Sequence, residues 1–429
     1  MSKPQQGNRP KYKKGQPNQR PATTAASGVV PAREQPAPRT PDRPGRVLTL
    51  DPLAPLICRS GRPFDDQAGP DGARFPPPST VAGCVRTAWA RENGAPLGPD
   101  LMQMAVAGPL LARPDGDNGF RLFAPKPADA LYFGSGAGAR CVRAVPAAFE
   151  PGCGADLPEG LLPVQLPAPE EGKPGSGPDW WAWDDLLRFR EGERKPPDHA
   201  QLTEGGWSPP PGDQRTHVRI ERTTQAAASG QLFQTMGLDF APPEGLAADP
   251  LSGLRLLVRC AEPLSPTLTH LGGERRLAEL RPVADAAWPQ PTAGWLERIG
   301  QLGGLSLTLL TPALFSGGYR PGWLSGDLTG CPPSSPGVQL RLRAAALGRW
   351  QPHSGWNLAA QRPRAGRKLI PAGATWWFEL IGQPSVDDLE QLWLTSLYDC
   401  LQDRLDGFGL ALPAAWTPPV APSVTHASA

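Results

Sequence analysis

Arg215, His217 and Arg219 alternate with Val218 and Ile220 in "RTHVRI". On an extended chain that period of two puts the three cationic or titratable side chains on one face and the apolar ones on the other. An Arg-His-Arg stripe suits a ribose-phosphate backbone. The same histidine could move a proton in metal-independent RNA cleavage, or simply be a structural strand residue. A second group is Arg59-Ser60-Gly61-Arg62, where two guanidiniums flank a glycine turn. Set beside free N–H groups at a helix start, they would cradle a phosphate; alone they would be a solvated turn. In "LGGERR", Gly272 and Gly273 permit close backbone approach, and Glu274 stands ready to orient Arg275 or Arg276. A tight turn closed by its own salt bridge is the alternative. The fourth group runs from Trp356 through Arg362, Arg364 and Lys368 to the turn at Gly373. Cations for phosphates beside a ring for bases is how single-stranded RNA is gripped.

Other chemistries find no support. The seven cysteines are scattered with no C-x-x-C pair, so neither a zinc knuckle nor a disulfide framework is indicated. A metal centre would need ligands from distant segments, and no cofactor is expected. "GSGAGA" at 134–139 lacks a following Lys-Ser/Thr and reads as a hairpin connection. No G-x-S-x-G or H-E-x-x-H pattern occurs.

The elements that must position these groups are punctuated by 56 Pro and 49 Gly in 429 residues, which excludes long uninterrupted helices. There is no heptad or internal repeat, and no apolar run approaches the roughly 18 residues of a membrane span. The start is basic and polar with no apolar stretch of the secretory kind, so a cytoplasmic protein is expected. Residues 1–46 hold ten Lys/Arg and two Asp/Glu, a surplus of eight, whereas the rest hold 33 basic and 39 acidic residues. The basic segment reads as a disordered tail. An RNA site on the mildly acidic body must therefore be a local cluster.

Val47–Arg59 opens the body with a strand. "FPPPSTVAGCVRTAWAREN" follows, a helix with Ser79 or Thr80 expected as N-cap. Val81, Cys84, Val85, Ala88 and Trp89 form its apolar stripe, with Arg86 off it. If Trp89 is buried, truncation to alanine would cost roughly 3–5 kcal/mol. Hairpins are expected over 104–147, a loop over 150–178, and a Trp-rich helix containing Trp180, Trp183, Leu187 and Arg190. After a loop at 205–214 comes the half-buried strand of the Arg-His-Arg stripe. "SGLRLLVRC" reads as a strand, "GWLERIGQLGGLSLTLL" as a helix running into one, and "KLIPAGATWWFEL" as another. A helix spans about Asp387 to Arg404 before "DGFGLALPAAW". Strands alternating with single helices, without a long parallel rhythm, fit an α+β fold of two ferredoxin-like sandwiches.

The ordered motifs "PLAPLICRSGRPF", "FPPPSTVAGCVRTA", "RTHVRIERTTQAAASGQLFQT", "LGGERRLAEL", "LLTPALFSGGYRPGWL", "SGWNLAAQRPRAGRKLIPAGATWWFEL" and "DGFGLAL" resemble the repeat-associated mysterious protein (RAMP) superfamily of CRISPR effector complexes. Within it they resemble the third subunit of the type III-B (Cmr) complex, over about 48 to 412.

The resemblance implies two ferredoxin-like, RRM-related domains with long Pro/Gly-rich insertions. They would span 47–250 and 251–412, between the tail and a Pro-rich segment at 413–429. It further implies a non-catalytic subunit that holds the 5′ handle of the CRISPR RNA (crRNA). Its partners would be the large cyclase/nuclease-type subunit and the adjacent backbone RAMP subunit, with target RNA met indirectly and no membrane. Handle contacts would fall on Arg59, Arg62, Ser79, Thr80, Arg86, Arg215, His217, Arg219, the 272–276 turn, the Trp356–Gly373 segment, and the glycine loop Gly407-Phe408-Gly409. Related superfamily members cleave precursor crRNA, so a metal-independent endoribonuclease is the alternative, with His217 and His353 as candidates. A handle-binding subunit of another CRISPR class is a further one.

Overall fold

The computed structural model describes residues 46–59, 72–115, 119–150, 152–192, 196–241, 253–357 and 362–419. Arg62 and the tail lie outside them, and the description below concerns the unit that begins at Pro41.

In β1 (Arg46–Pro52) the alternation of "RVLTLDP" sends Leu48 and Leu50 to one face and Val47 to the other, all buried. Helix α1 (Pro78–Glu92) lays Val81, Cys84, Val85 and Ala88 on the Leu48/Leu50 face, as its stripe requires. Trp89 sits half-buried at the rim of that core, so its truncation costs less than full burial would imply. The helix begins earlier than expected, before Ser79. Pro77 is the cap and Pro78 the first residue, because proline's fixed φ suits N1 and its missing N–H is no loss there. Ser79 and Thr80 are inside the first turn.

The first sheet continues with β2 (Val106–Asp115), β3 (Gly119–Pro125) and β4 (Trp180–Ala182). Trp180 is thus in a strand, and α2 (Trp183–Arg190) is shorter than the Trp pattern predicts. The short helix α3 (His199–Gly205) follows. The hairpin of β5 (Asp213–Ile220) and β6 (Ala227–Gly237) pairs only with itself. Then β7 (Arg255–Cys260), β8 (Thr267–His270) and β9 (Leu277–Val283) rejoin the first sheet, giving the order β8-β9-β1-β7-β2-β3-β4. The boundary expected after 250 is therefore crossed: Leu256, Leu257 and Val258 fill the slot between β1 and β2.

The second sheet opens with α4 (Trp295–Leu302), which ends in left-handed Gly303, and β10 (Gly304–Leu309). It adds β11 (Thr329–Gly330) and β12 (Gln339–Ala346). A small arm follows, β13 (Gln351–His353) with β14 (Arg367–Leu369). The sheet is completed by β15 (Thr375–Ile381), β16 (Thr395–Ser396) and β17 (Leu410–Ala415), in the order β11-β12-β15-β10-β17-β16. The helix expected over 387–404 is broken into α5 (Val386–Glu390) and α6 (Leu401–Leu405) around β16. Pro413 to Ala415, expected in the terminal tail, complete β17 against β10.

The fold is mixed α and β with more strand than helix. The two sheets have the same central strand order, fourth-first-third-second along the chain: β9-β1-β7-β2 in the first and β17-β10-β15-β12 in the second, antiparallel throughout.

Two buried ion pairs join them. Arg86 Nη1 meets Asp406 at 2.5 Å, while its Nε and Nη2 donate to Met104 O at 3.0 and 2.9 Å and Nη2 also to Leu405 O at 2.8 Å. Arg190 forks onto Asp129 at 2.6 and 2.8 Å and reaches Thr375. Removing one partner of such a pair leaves an uncompensated buried charge. Arg86→Ala should destabilise the protein by about 3–5 kcal/mol in urea unfolding; an unchanged midpoint would refute the clamp.

Candidate nucleic-acid interface

Five of the sequence candidates are packing residues. Arg86 is 3% exposed, and its donors are spent on the clamp just described. Gly373, Gly407 and Gly409 are buried at left-handed φ. A Cβ on Gly407 would stand 2.5 Å from Gly108 O, one on Gly373 2.2 Å from Lys126 O, and one on Gly409 2.0 Å from Leu397 O. These glycines let backbones meet where a Cβ would clash. Gly272 has the same character, 2.8 Å from Ile57 O. The start of α1 is also a poor phosphate cradle: Pro78 has no N–H, and those of Thr80 and Val81 point to Pro77 O.

The remaining groups make up a band of two clusters, the 271–276 turn with the hairpin, and the arm. At one end Gly273 N donates to Ile57 O at 2.7 Å, tying the 271–276 turn to the chain before Arg59. Glu274 does not close the turn on its own arginines; it reaches Arg59 at 3.8 Å. Glu274 and Arg275 adopt φ of 56° and 50°, a pair of left-handed residues that costs on the order of 1–3 kcal/mol each. Arg275 is exposed there and Arg276 half-buried.

The band continues through the Leu56–Leu238 bridge, 2.8 Å in both directions, to the base of the β5–β6 hairpin. The face of Arg215, His217 and Arg219 is as the alternation predicts, but the strand is not half-buried. Val218 and Ile220 are 41% and 50% exposed, because the hairpin has no sheet behind it. Arg215 is braced by Asp213 at 2.7 Å. His217 Nε2 lies 2.9 Å from Thr235 Oγ1, and its ring stacks on Phe233, centroids 5.1 Å apart.

At the hairpin base a Cβ on Gly212 would lie 3.0 Å from Ala73 Cβ, which brings Arg74 into the band. Arg74 acts on His353 in the arm. His353 packs edge-on against Phe408, and burial together with the guanidiniums of Arg367, Arg364 and Arg74 holds its imidazole down at about 4, against Asp406. Arg367 forks onto Asp403 at 2.6 Å through both Nη atoms, and Arg364 stands 3.8 Å from Asp406. Trp356, Arg362, Arg364 and Lys368 are exposed on the arm. Sequence reasoning passed over Arg74 and Trp350. Arg74 precedes the prolines with no pattern around it, and Trp350 lies before the segment that begins at Gly355. A cavity of about 950 Å³ lined by Phe120, Leu122, Trp183, Asp184, Arg188 and Pro289 lies outside the band.

Residues 48–416 match the Cas_Cmr3 family of CRISPR-associated proteins, most of the chain. The chain belongs to that family. Among solved structures, two cryo-EM chains of the Type III-B Cmr-beta complex are similar. One is bound to cognate target RNA, with 14% identity and a TM-score of 0.42, and the other to cognate target RNA and AMPPnP, with 12% and 0.42. In both, the similarity covers 77% of this chain and 86% of the other. No curated protein sequence matches significantly. This Cmr3-type chain has no helix among its described residues long and apolar enough to cross a membrane.

An unfolded histidine binds its proton near pH 6.5, whereas His353 does so only near 4. Between these values the unfolded state holds more protons, so stability falls as pH drops from 6.5 towards 4. The urea midpoint should fall less over this window in His353→Asn than in the wild type. Equal pH dependence of the two would contradict the buried, neutral imidazole.

Proposed function

We propose that this protein is a non-catalytic RNA-binding scaffold of a type III-B effector complex, holding the 5′ handle of the crRNA along the band. The observation that carries this is convergence. Arg59, the strained 271–276 turn and the Arg215–Arg219 stripe are far apart in sequence yet linked by consecutive contacts, and the charge of Arg74, beside the hairpin base, bears on His353 of the cationic arm. In the same reading it docks the large cyclase/nuclease-type subunit, neighbours a backbone RAMP subunit and works in the cytoplasm. The strand order common to the two sheets supports two ferredoxin-like halves. The histidines favour a scaffold over a nuclease. His217 is engaged by Thr235 and Phe233, and His353 has an affinity for protons poorly matched to acid–base work near neutrality.

Affinity carried by Arg–phosphate pairs falls steeply with salt, with a slope of about −0.7 per contact for a single strand. The double variant Arg215→Ala/Arg275→Ala should bind handle RNA more weakly and with a shallower salt slope, at unchanged thermal stability. Wild-type affinity and slope in that variant would remove both sites from the band.

A further inference from the structure

Of the fourteen tryptophans, twelve are buried or partly buried, and the two exposed ones, Trp350 at 53% and Trp356 at 56%, stand on the same arm. Neither ring fills a core, and two exposed tryptophans on one basic element offer flat faces that a planar ligand can stack on. The arm has two faces. His353, against Phe408, and Arg367, on Asp403, pin the inner one to the second sheet. Lys368 pairs in register with Pro352, two residues from Trp350, and its Nζ lies 5.4 Å from the centre of the Trp350 ring. The turn is fixed by Arg364 N donating to Gly355 O at 2.7 Å and Ser354 Oγ donating to Arg364 O at 2.8 Å. Both rings are therefore presented on a braced support.

The charge around them selects the ligand. From Arg349 to Leu369 the sequence carries five Lys/Arg and no Asp or Glu. A flat ring with a cation at its face, on an element with no acidic side chain of its own, matches a nucleobase flanked by phosphates. A lysine over a surface tryptophan is also a known local packing pair, but packing alone leaves unexplained why half of the ring stays in water.

We infer that Trp350, with Lys368 at its ring, is a stacking station for an unpaired nucleobase of single-stranded RNA, paired along the arm with a second station at Trp356. This rests on the RNA-binding reading of the band and adds to it a base-contacting role for a residue outside the arginine clusters.

The test compares full-length wild type, Trp350→Ala, Trp350→Phe and Arg215→Ala/Arg275→Ala by titration with handle RNA. A second strand keeps every phosphate but has abasic sites in place of the handle bases. Trp350→Ala should lower affinity for the intact strand roughly 5- to 100-fold, the range of one base–aromatic stack. It should do so equally at every salt concentration, and Trp350→Phe should restore most of the loss. On the abasic strand wild type and Trp350→Ala should bind alike. If Trp350→Ala binds the intact strand like wild type while the arginine variant is weakened, the station is refuted and the band stands. If wild type binds no RNA, both fall. If Trp350→Ala instead loses only the association with the large subunit, the ring is a protein anchor and the inference is overturned.

Discussion

Arg86 is a charged residue enclosed by protein, and its satisfaction constrains much of the molecule. Its guanidinium leaves α1, collects the Met104 and Leu405 carbonyls, and ends on Asp406. Met104 precedes β2 of the first sheet, and Leu405 and Asp406 precede β17 of the second. One side chain thereby fixes α1, the entry to an inner strand of one sheet and the entry to an inner strand of the other. The next residue, Gly407, must then lie against the Gly108 backbone, which only a residue without a Cβ can do at φ 89°. The Arg190–Asp129–Thr375 network repeats the device from α2 to β15, beside Gly373.

The band proposed to hold RNA depends on this fixation. Phe408, next to Gly407, is the ring on which His353 packs, and Asp403 and Asp406 are the carboxylates that hold Arg367 and draw Arg364. The arm therefore hangs from the same loop that receives Arg86. At the other end, the turn at 271–276 is held by Ile57 O, and the hairpin base by Leu56. A surface for phosphates needs guanidiniums that are paired enough to be positioned and exposed enough to bind. Arg59, Arg215, Arg364 and Arg367 meet both conditions, each with a carboxylate within 4 Å and side-chain exposures of 40–48%.

Much of this was legible from local pattern. The α1 stripe and the alternation of β1 follow from periods of 3.6 and 2 that burial enforces, and the Arg-His-Arg face from the period of 2 alone. What sequence could not reveal was partnership across distance. Arg86 looks like a surface cation because it lies off the apolar stripe; only the fold brings Asp406, 320 residues away, to meet it. The glycines of 407–409 and Gly373 carry the family resemblance, but close backbone approach between segments distant in sequence accounts for them. Val218 and Ile220 were expected to face a core because alternation says which residues share a face, not whether that face is covered. The band itself depends on contacts between residues distant in sequence, such as Ile57 and Gly273 of the "GGERR" turn.

The most direct test of the scaffold account uses the purified protein, alone and with the large subunit. Each is incubated with 5′-labelled crRNA bearing a native or a scrambled handle, in EDTA and in magnesium, and both mobility and strand length are read. The account predicts preferential binding of the native handle with the RNA left intact in every condition. Metal-independent cutting abolished by His217→Ala, or equal binding of native and scrambled handles, would contradict it.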